Sequence, residues 1–143
     1  MEMTMNNEVR VRSTGEESTS KARVWTGRVM TGLPVLFIAW DAAMKFSNIP
    51  EVVAASERIG FHKATLPFIA VVELLAVVLL SIKRTRVLGA VLISAYLGGA
   101  VATHVRVGDP LFNILFPIGF AGLIWGGLYL RDERVRALSP FAR

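Results

Sequence analysis

The sequence predicts an all-α membrane protein, a four-transmembrane-helix bundle with both termini cytoplasmic, on three observations. Hydrophobic residues make up 53% of the chain and charged residues 19%, with a mean hydropathy of +0.51, which is more apolar than a soluble domain of 143 residues. Four apolar runs each approach the roughly 20 residues that cross a bilayer as helix. The basic residues collect at the ends of those runs rather than within them.

Residues 1–23 are polar, carry both signs of charge and show no apolar period, which predicts a disordered cytoplasmic tail. This lead is too long and too acidic for a secretory signal, so the first apolar run reads as a retained anchor. The spans fall at about 24–46, 64–82, 87–105 and 112–130, giving one membrane domain over 24–131 and a cytoplasmic tail over 132–143. A soluble bundle would need polar surface to cover four such runs, and too little polar chain remains. Between the first two spans, "SNIPEVVAASERIGFHK" has Pro50 where a helix can begin and Val52, Val53 and Ile59 for an apolar face, which predicts a short interfacial helix in the first outer loop. "SIKRTR" is the short basic turn between the second and third spans.

Loop charge sets the expected orientation. Of the sixteen Lys and Arg residues, Lys45, Arg58, Lys63 and Arg106 fall on one side of the membrane and all the others on the opposite side. The positive-inside rule then places both termini in the cytoplasm, and a bacterial inner membrane is the expected location. Cysteine is absent, which excludes disulfides, thiol redox couples and cysteine-ligated clusters. The basic residues are not interleaved with aromatics on one surface, so no nucleic acid is expected. No nucleophile elbow, HExxH or other metal-ligand spacing occurs, and no metal is expected. His62 precedes the second span and His104 ends the third, a poor arrangement for bis-histidine haem.

Helices in lipid pack through small residues that let backbones approach. The third span carries Ala90, Ser94, Gly98 and Ala102 at every fourth position, and the fourth carries Gly122 and Gly126 in a GxxxG, so both stripes are expected to be buried. Pro34, Pro67 and Pro117 are read as interruptions within three of the spans. Arg28 lies near the cytoplasmic boundary and can snorkel.

Polar residues inside the spans are the candidate site. Asp41 and Lys45, in "WDAAMK", are one helical turn apart and can pair. Glu73 stands alone among the apolar residues of "PFIAVVELLAVVLL". A carboxylate near mid-span costs about 2.5–3.5 kcal/mol to insert, so it should face protein or water, and Ala70 and Ala76 flank it on a packed face. Lys45 and His104 approach the outer boundary while Glu73 lies deeper, about 13 Å below Ala64 at helical rise. Contact between Glu73 and Lys45 therefore needs long side chains, an unwound turn at Pro67 or bridging water. His104 is about 100° round the helix from Thr103 and further from the small-residue stripe, which argues against its pointing inward.

"WDAAMKF", "VVELL", "GAVATHVRVGDP" and "FPIGFAGLIWGGLYLR", in this order and spacing, resemble the DoxX-like family of small four-helix bacterial membrane proteins over roughly residues 24–131. The resemblance implies that Lys45, Glu73, Thr103 and His104 are the family's recurrent polar positions. Asp41 to Ala43 stand where similar proteins often have glycine, so the resemblance implies no role for Asp41. It further implies an association with thiosulfate and quinone oxidation or with oxidative-stress complexes, although most members have no established reaction. Three functions are open at this point: a quinone-interacting subunit of a membrane redox complex, a small transporter or proton path using Glu73, and a non-catalytic scaffold. The residues alone favour the scaffold. Expected partners are the lipid bilayer and membrane or periplasmic redox proteins, with a homo-oligomer left open.

Overall fold

A computed structural model describes the backbone of residues 2–138 and the side chains of residues 21–137. Among the described residues six α-helices follow one another, α1 (Glu2–Phe46), α2 (Pro50–Arg58), α3 (Leu66–Ser81), α4 (Arg86–Arg106), α5 (Leu111–Arg131) and α6 (Glu133–Leu138), with a 3-10 turn at Lys63–Thr65 leading into α3. The C-terminal half of α1 from Lys21, together with α3, α4 and α5, is long and apolar enough to cross a membrane. Trp25, Leu36, Phe68, Leu75, Leu88 and Leu115 point outward and are exposed, as lipid-facing residues would be and as the surface of a soluble bundle would not.

The four spans form a ring in which α1 packs against α3 and α5, and α4 packs against the same two helices. At the centre lie Ile38 of α1, Ala76, Val77 and Leu80 of α3, Ala90, Ile93 and Leu97 of α4, and Phe120, Ile124 and Leu128 of α5. Short turns join α3 to α4 and α4 to α5, whereas the longer connection from α1 to α3 carries α2. At the α3–α4 hairpin, Gly89 runs against the backbone of Leu79 and Leu80 so closely that a Cβ would fall 2.1 Å from the Leu80 nitrogen.

α1 begins at Glu2, so the backbone before Val24 continues the first helix, in a segment without proline. Beyond Asp132 the chain continues into α6, from which Val135 packs into the core; residues 139–143 lie outside the described residues. The reading of Pro67 is corrected: it sits in the first turn of α3, where no helical hydrogen bond is lost, so only Pro34 and Pro117 are interior prolines.

The small-residue stripes are corrected too. Gly98, Ala102 and Gly122 are exposed, and a Cβ at Gly98 or Gly122 would meet nothing within 4 Å. Gly126 is half-buried against Met30. The close approach is between Gly27 of α1 and Gly127 of α5, whose backbones touch beside Thr31. Further along this α1–α5 seam, Phe37 stacks edge-on against Phe116 and Phe120 at 5.3 and 5.1 Å. On α4 the contact side runs through Ala90, Ile93 and Leu97, with Ser94 beside it accepting a 2.8 Å hydrogen bond from the Trp125 indole.

Candidate functional site

At the end of the bundle marked by Lys45, helical spacing brings four polar side chains together. Asp41 and Lys45 share a face of α1. Glu73 occupies the buried stripe Leu66, Ala70, Glu73, Val77, Leu80 of α3, and Tyr96 extends from α4. The Lys45 ammonium uses all three N–H donors: one to Asp41 Oδ2, one to Glu73 Oε1 at 2.7 Å and one to the Tyr96 hydroxyl at 3.4 Å. Lys45 thus reaches Glu73 directly, with its long side chain and no bridging water. The Tyr96 ring also lies under the ammonium, 5.9 Å to its centroid. Its hydroxyl lies within electrostatic reach of both carboxylates.

A cavity of about 680 Å³ opens beside this cluster. Asp41, Lys45 and Tyr96 form its polar floor, while Val52, Ile59, Phe61, Leu66, Ile69 and Val72 supply apolar walls. Phe68 and Val72 are also exposed on the outer surface of α3, and Gly99 is exposed on α4, so the cavity opens sideways along the α3–α4 seam. Glu73 does not line it. That carboxylate is fully buried behind Lys45, and its Oε2 has no hydrogen-bond partner. The residue that the sequence singled out most strongly therefore holds Lys45 in place without facing the cavity.

The roof is α2, the helix expected in this loop. Pro50 starts it, and a glycine cap ends it, with Gly60 N–H bonded to the Glu57 carbonyl and Phe61 N–H to that of Ser56, each at 2.9 Å. Gly60 adopts φ +93°, and its missing side chain leaves room for Arg106 to donate to the Ile59 carbonyl at 2.7 Å. A second tie is ionic. Arg58 meets Asp109 at 3.0 Å, and His104 Nδ1 donates to the same carboxylate at 2.6 Å. The His104 hydrogen bond, more than the Arg58 charge, holds the Asp109 carboxyl below the usual aspartate range.

His104 and Thr103 both line the cavity, on the α4 face formed by Tyr96, Gly99, Ala100, Thr103 and His104. These positions follow the i, i+3, i+4, i+7, i+8 spacing of one helical face. The small-residue stripe was the wrong reference for His104, because much of that stripe faces outward. His104 nonetheless stays out of the Lys45 network, being tied to Asp109, and the Thr103 hydroxyl donates to the Gly99 carbonyl at 2.9 Å. Tyr96 was missed by the sequence reading. Its signal was a tyrosine within an apolar span, whose hydroxyl, too far from the backbone to bond within its own helix, needs a polar partner once buried.

A comparison with family models matches residues 29–127, well over half of the chain, to the DoxX-like family. The chain belongs to that family. The matched segment contains the whole Lys45–Asp41–Glu73–Tyr96 cluster, α2 and the α4 wall of the cavity. Among curated proteins and solved structures, none matches the chain.

Proposed function

We propose that this DoxX-like membrane protein is a binding subunit of a membrane redox complex, and that its cavity holds the oxygen-bearing ring of a quinone. One observation carries the reading: an apolar cavity, open toward the lipid side of the α3–α4 seam, ends on a lysine already held by two carboxylates. Pockets of this volume suit small organic ligands, with apolar walls for affinity and a few polar groups for orientation. The donor set fits a ring carrying carbonyl or hydroxyl oxygens. The Lys45 contact to Tyr96, the longest of its three, is the one a ligand oxygen would replace. Asp109 occupies His104 Nδ1, leaving Nε2 for a second oxygen. A bound quinone supplies two-electron carrier chemistry, while the residues named here bind and orient it.

The scaffold reading keeps one observation in its favour, since the Lys45 network ties α1, α3 and α4 together whether or not a ligand enters. The proton-path reading is weaker, because Glu73 is sealed from the cavity. Val72→Trp separates the first two by filling the cavity without touching the polar network. After transfer into nanodiscs from native membranes, extracted quinone per chain is expected to fall at least roughly tenfold in Val72→Trp, with thermal stability unchanged. Equal quinone in both proteins, or none above the bulk lipid level in the wild type, would leave the scaffold.

Orientation is part of the same proposal. The uneven distribution of Lys and Arg supports placing the Lys45 end outside, facing the periplasm of a bacterial inner membrane, with both termini cytoplasmic. A reporter fused to the C-terminus is expected to be active only in its cytoplasmic form; activity of a periplasmic reporter there would reverse the assignment.

A further inference from the structure

The opposite end of the bundle carries a second polar cluster, unrelated to the cavity. Arg86 is the first residue of α4, Arg131 the last of α5, and Arg28 lies on the neighbouring face of α1. The Arg131 guanidinium stands within electrostatic reach of both Arg86 and Arg28, each a like charge to it. Among the described residues, Asp132 is the carboxylate that faces them, 3.4 Å from Arg86. Asp132 also accepts the Arg134 N–H at 3.1 Å, and the adjacent Glu133 is taken up by Arg136.

Arg28 is exposed, but Arg86 and Arg131 are not simple surface anchors. The Arg86 side chain is 16% exposed, and the Nε atoms of Arg86 and Arg131 are both buried without an acceptor. Snorkelling would carry such groups into water or headgroups. A buried N–H donor on a cation is costly to leave unpaired, so this cluster has positive charge and directed donors in excess of its one acid. The first turn of α4 adds to the excess. Its N-cap residue Thr85 does not cap it, because the Thr85 hydroxyl donates instead to the Leu79 carbonyl at 2.9 Å.

We infer that Arg86 and Arg131, with Arg28 at the rim, form a binding site for a phosphate group. Guanidinium forks match tetrahedral phosphate oxygens, and Nε together with a terminal nitrogen makes the paired contact that lysine cannot. The cluster lies at the ends of two spans, at headgroup depth, which favours the phosphate of an anionic phospholipid over a free anion.

The test uses the full chain in a neutral detergent, titrated separately with phosphatidylglycerol, phosphatidylcholine and inorganic phosphate. Retained lipid is read by native mass spectrometry and stability by thermal melting. Phosphatidylglycerol is expected to bind at one site and raise the melting temperature, with phosphatidylcholine much weaker. R86Q/R131Q should weaken that binding at least about tenfold. K83Q/R84Q, which removes equal charge from two exposed residues at the same end, should change it less than about twofold. Arg131→Lys keeps the charge and leaves the Arg86–Asp132 pair intact, so it guards against misfolding; it should still weaken binding by about tenfold through loss of Nε. Protection by inorganic phosphate equal to that by the lipid assigns the same site to a soluble anion. Equal losses from the two double variants, or binding unchanged in Arg131→Lys, would mean diffuse charge attraction and overturn the site.

Discussion

Lys45→Met is expected to lower the stability of the bundle by about 3–5 kcal/mol, because it leaves two carboxylates facing each other with their cation removed. Glu73 is fully buried and its Oε2 already lacks a donor, so Oε1 cannot turn to water when the ammonium goes. Asp41 is better placed, since its side chain is 36% exposed and borders the cavity. Glu73→Gln should therefore cost less, about 1–3 kcal/mol, because Lys45 keeps Asp41 and Tyr96. Combining the two substitutions removes both the buried charge and its partner, and the double variant should be more stable than Lys45→Met alone. Chemical unfolding in detergent measures the cycle, and strict additivity would sink the pairing. The double variant has a second use. If it folds well yet loses its quinone, Lys45 is a ligand donor as well as a structural cation; if it folds well and keeps its quinone, the proposed role of the lysine in binding fails.

How much of this was legible in the sequence depended on which constraint acted on each residue. The spans were legible because bilayer thickness dictates long apolar runs, and the α3, α4 and α5 ends fall within a residue or two of those runs. Glu73 and Lys45 were legible as partners because a charge placed in a span must find another. Faces were not legible. Small residues at every fourth position of α4 suggested a buried stripe, but lipid tolerates exposed glycine and alanine, so the pattern carried no directional information at Gly98 or Ala102. His104 was misplaced by the same reference. The ring order of the helices was hidden as well, since no single-helix pattern says that α1 closes against α5. Glu73 was read as a group facing protein or water; only the three-dimensional arrangement shows Lys45 standing between it and the cavity.

The seam that closes the ring makes the other large prediction. Gly127→Ala should cost about 3 kcal/mol, at the top of the range for overpacking, although alanine is otherwise the better helix former by about 1 kcal/mol. A Cβ there would lie 2.6 Å from the Gly27 carbonyl oxygen and 2.4 Å from the Thr31 hydroxyl oxygen. The first atom is backbone in the middle of a helix. The second is held by its hydrogen bond to that same carbonyl at 2.9 Å, so neither can yield without separating α1 from α5. Gly27→Ala presses the same contact from the other side, 2.7 Å from the Gly127 oxygen, and should behave alike. Gly98→Ala and Gly122→Ala meet open space and should be neutral or slightly stabilising through helix propensity. Melting the four variants in one detergent compares them directly. Equal melting temperatures would show that the α1–α5 backbones do not touch as described, whereas a loss at Gly98 or Gly122 comparable to that at Gly127 would place a second copy of the chain against those exposed stripes.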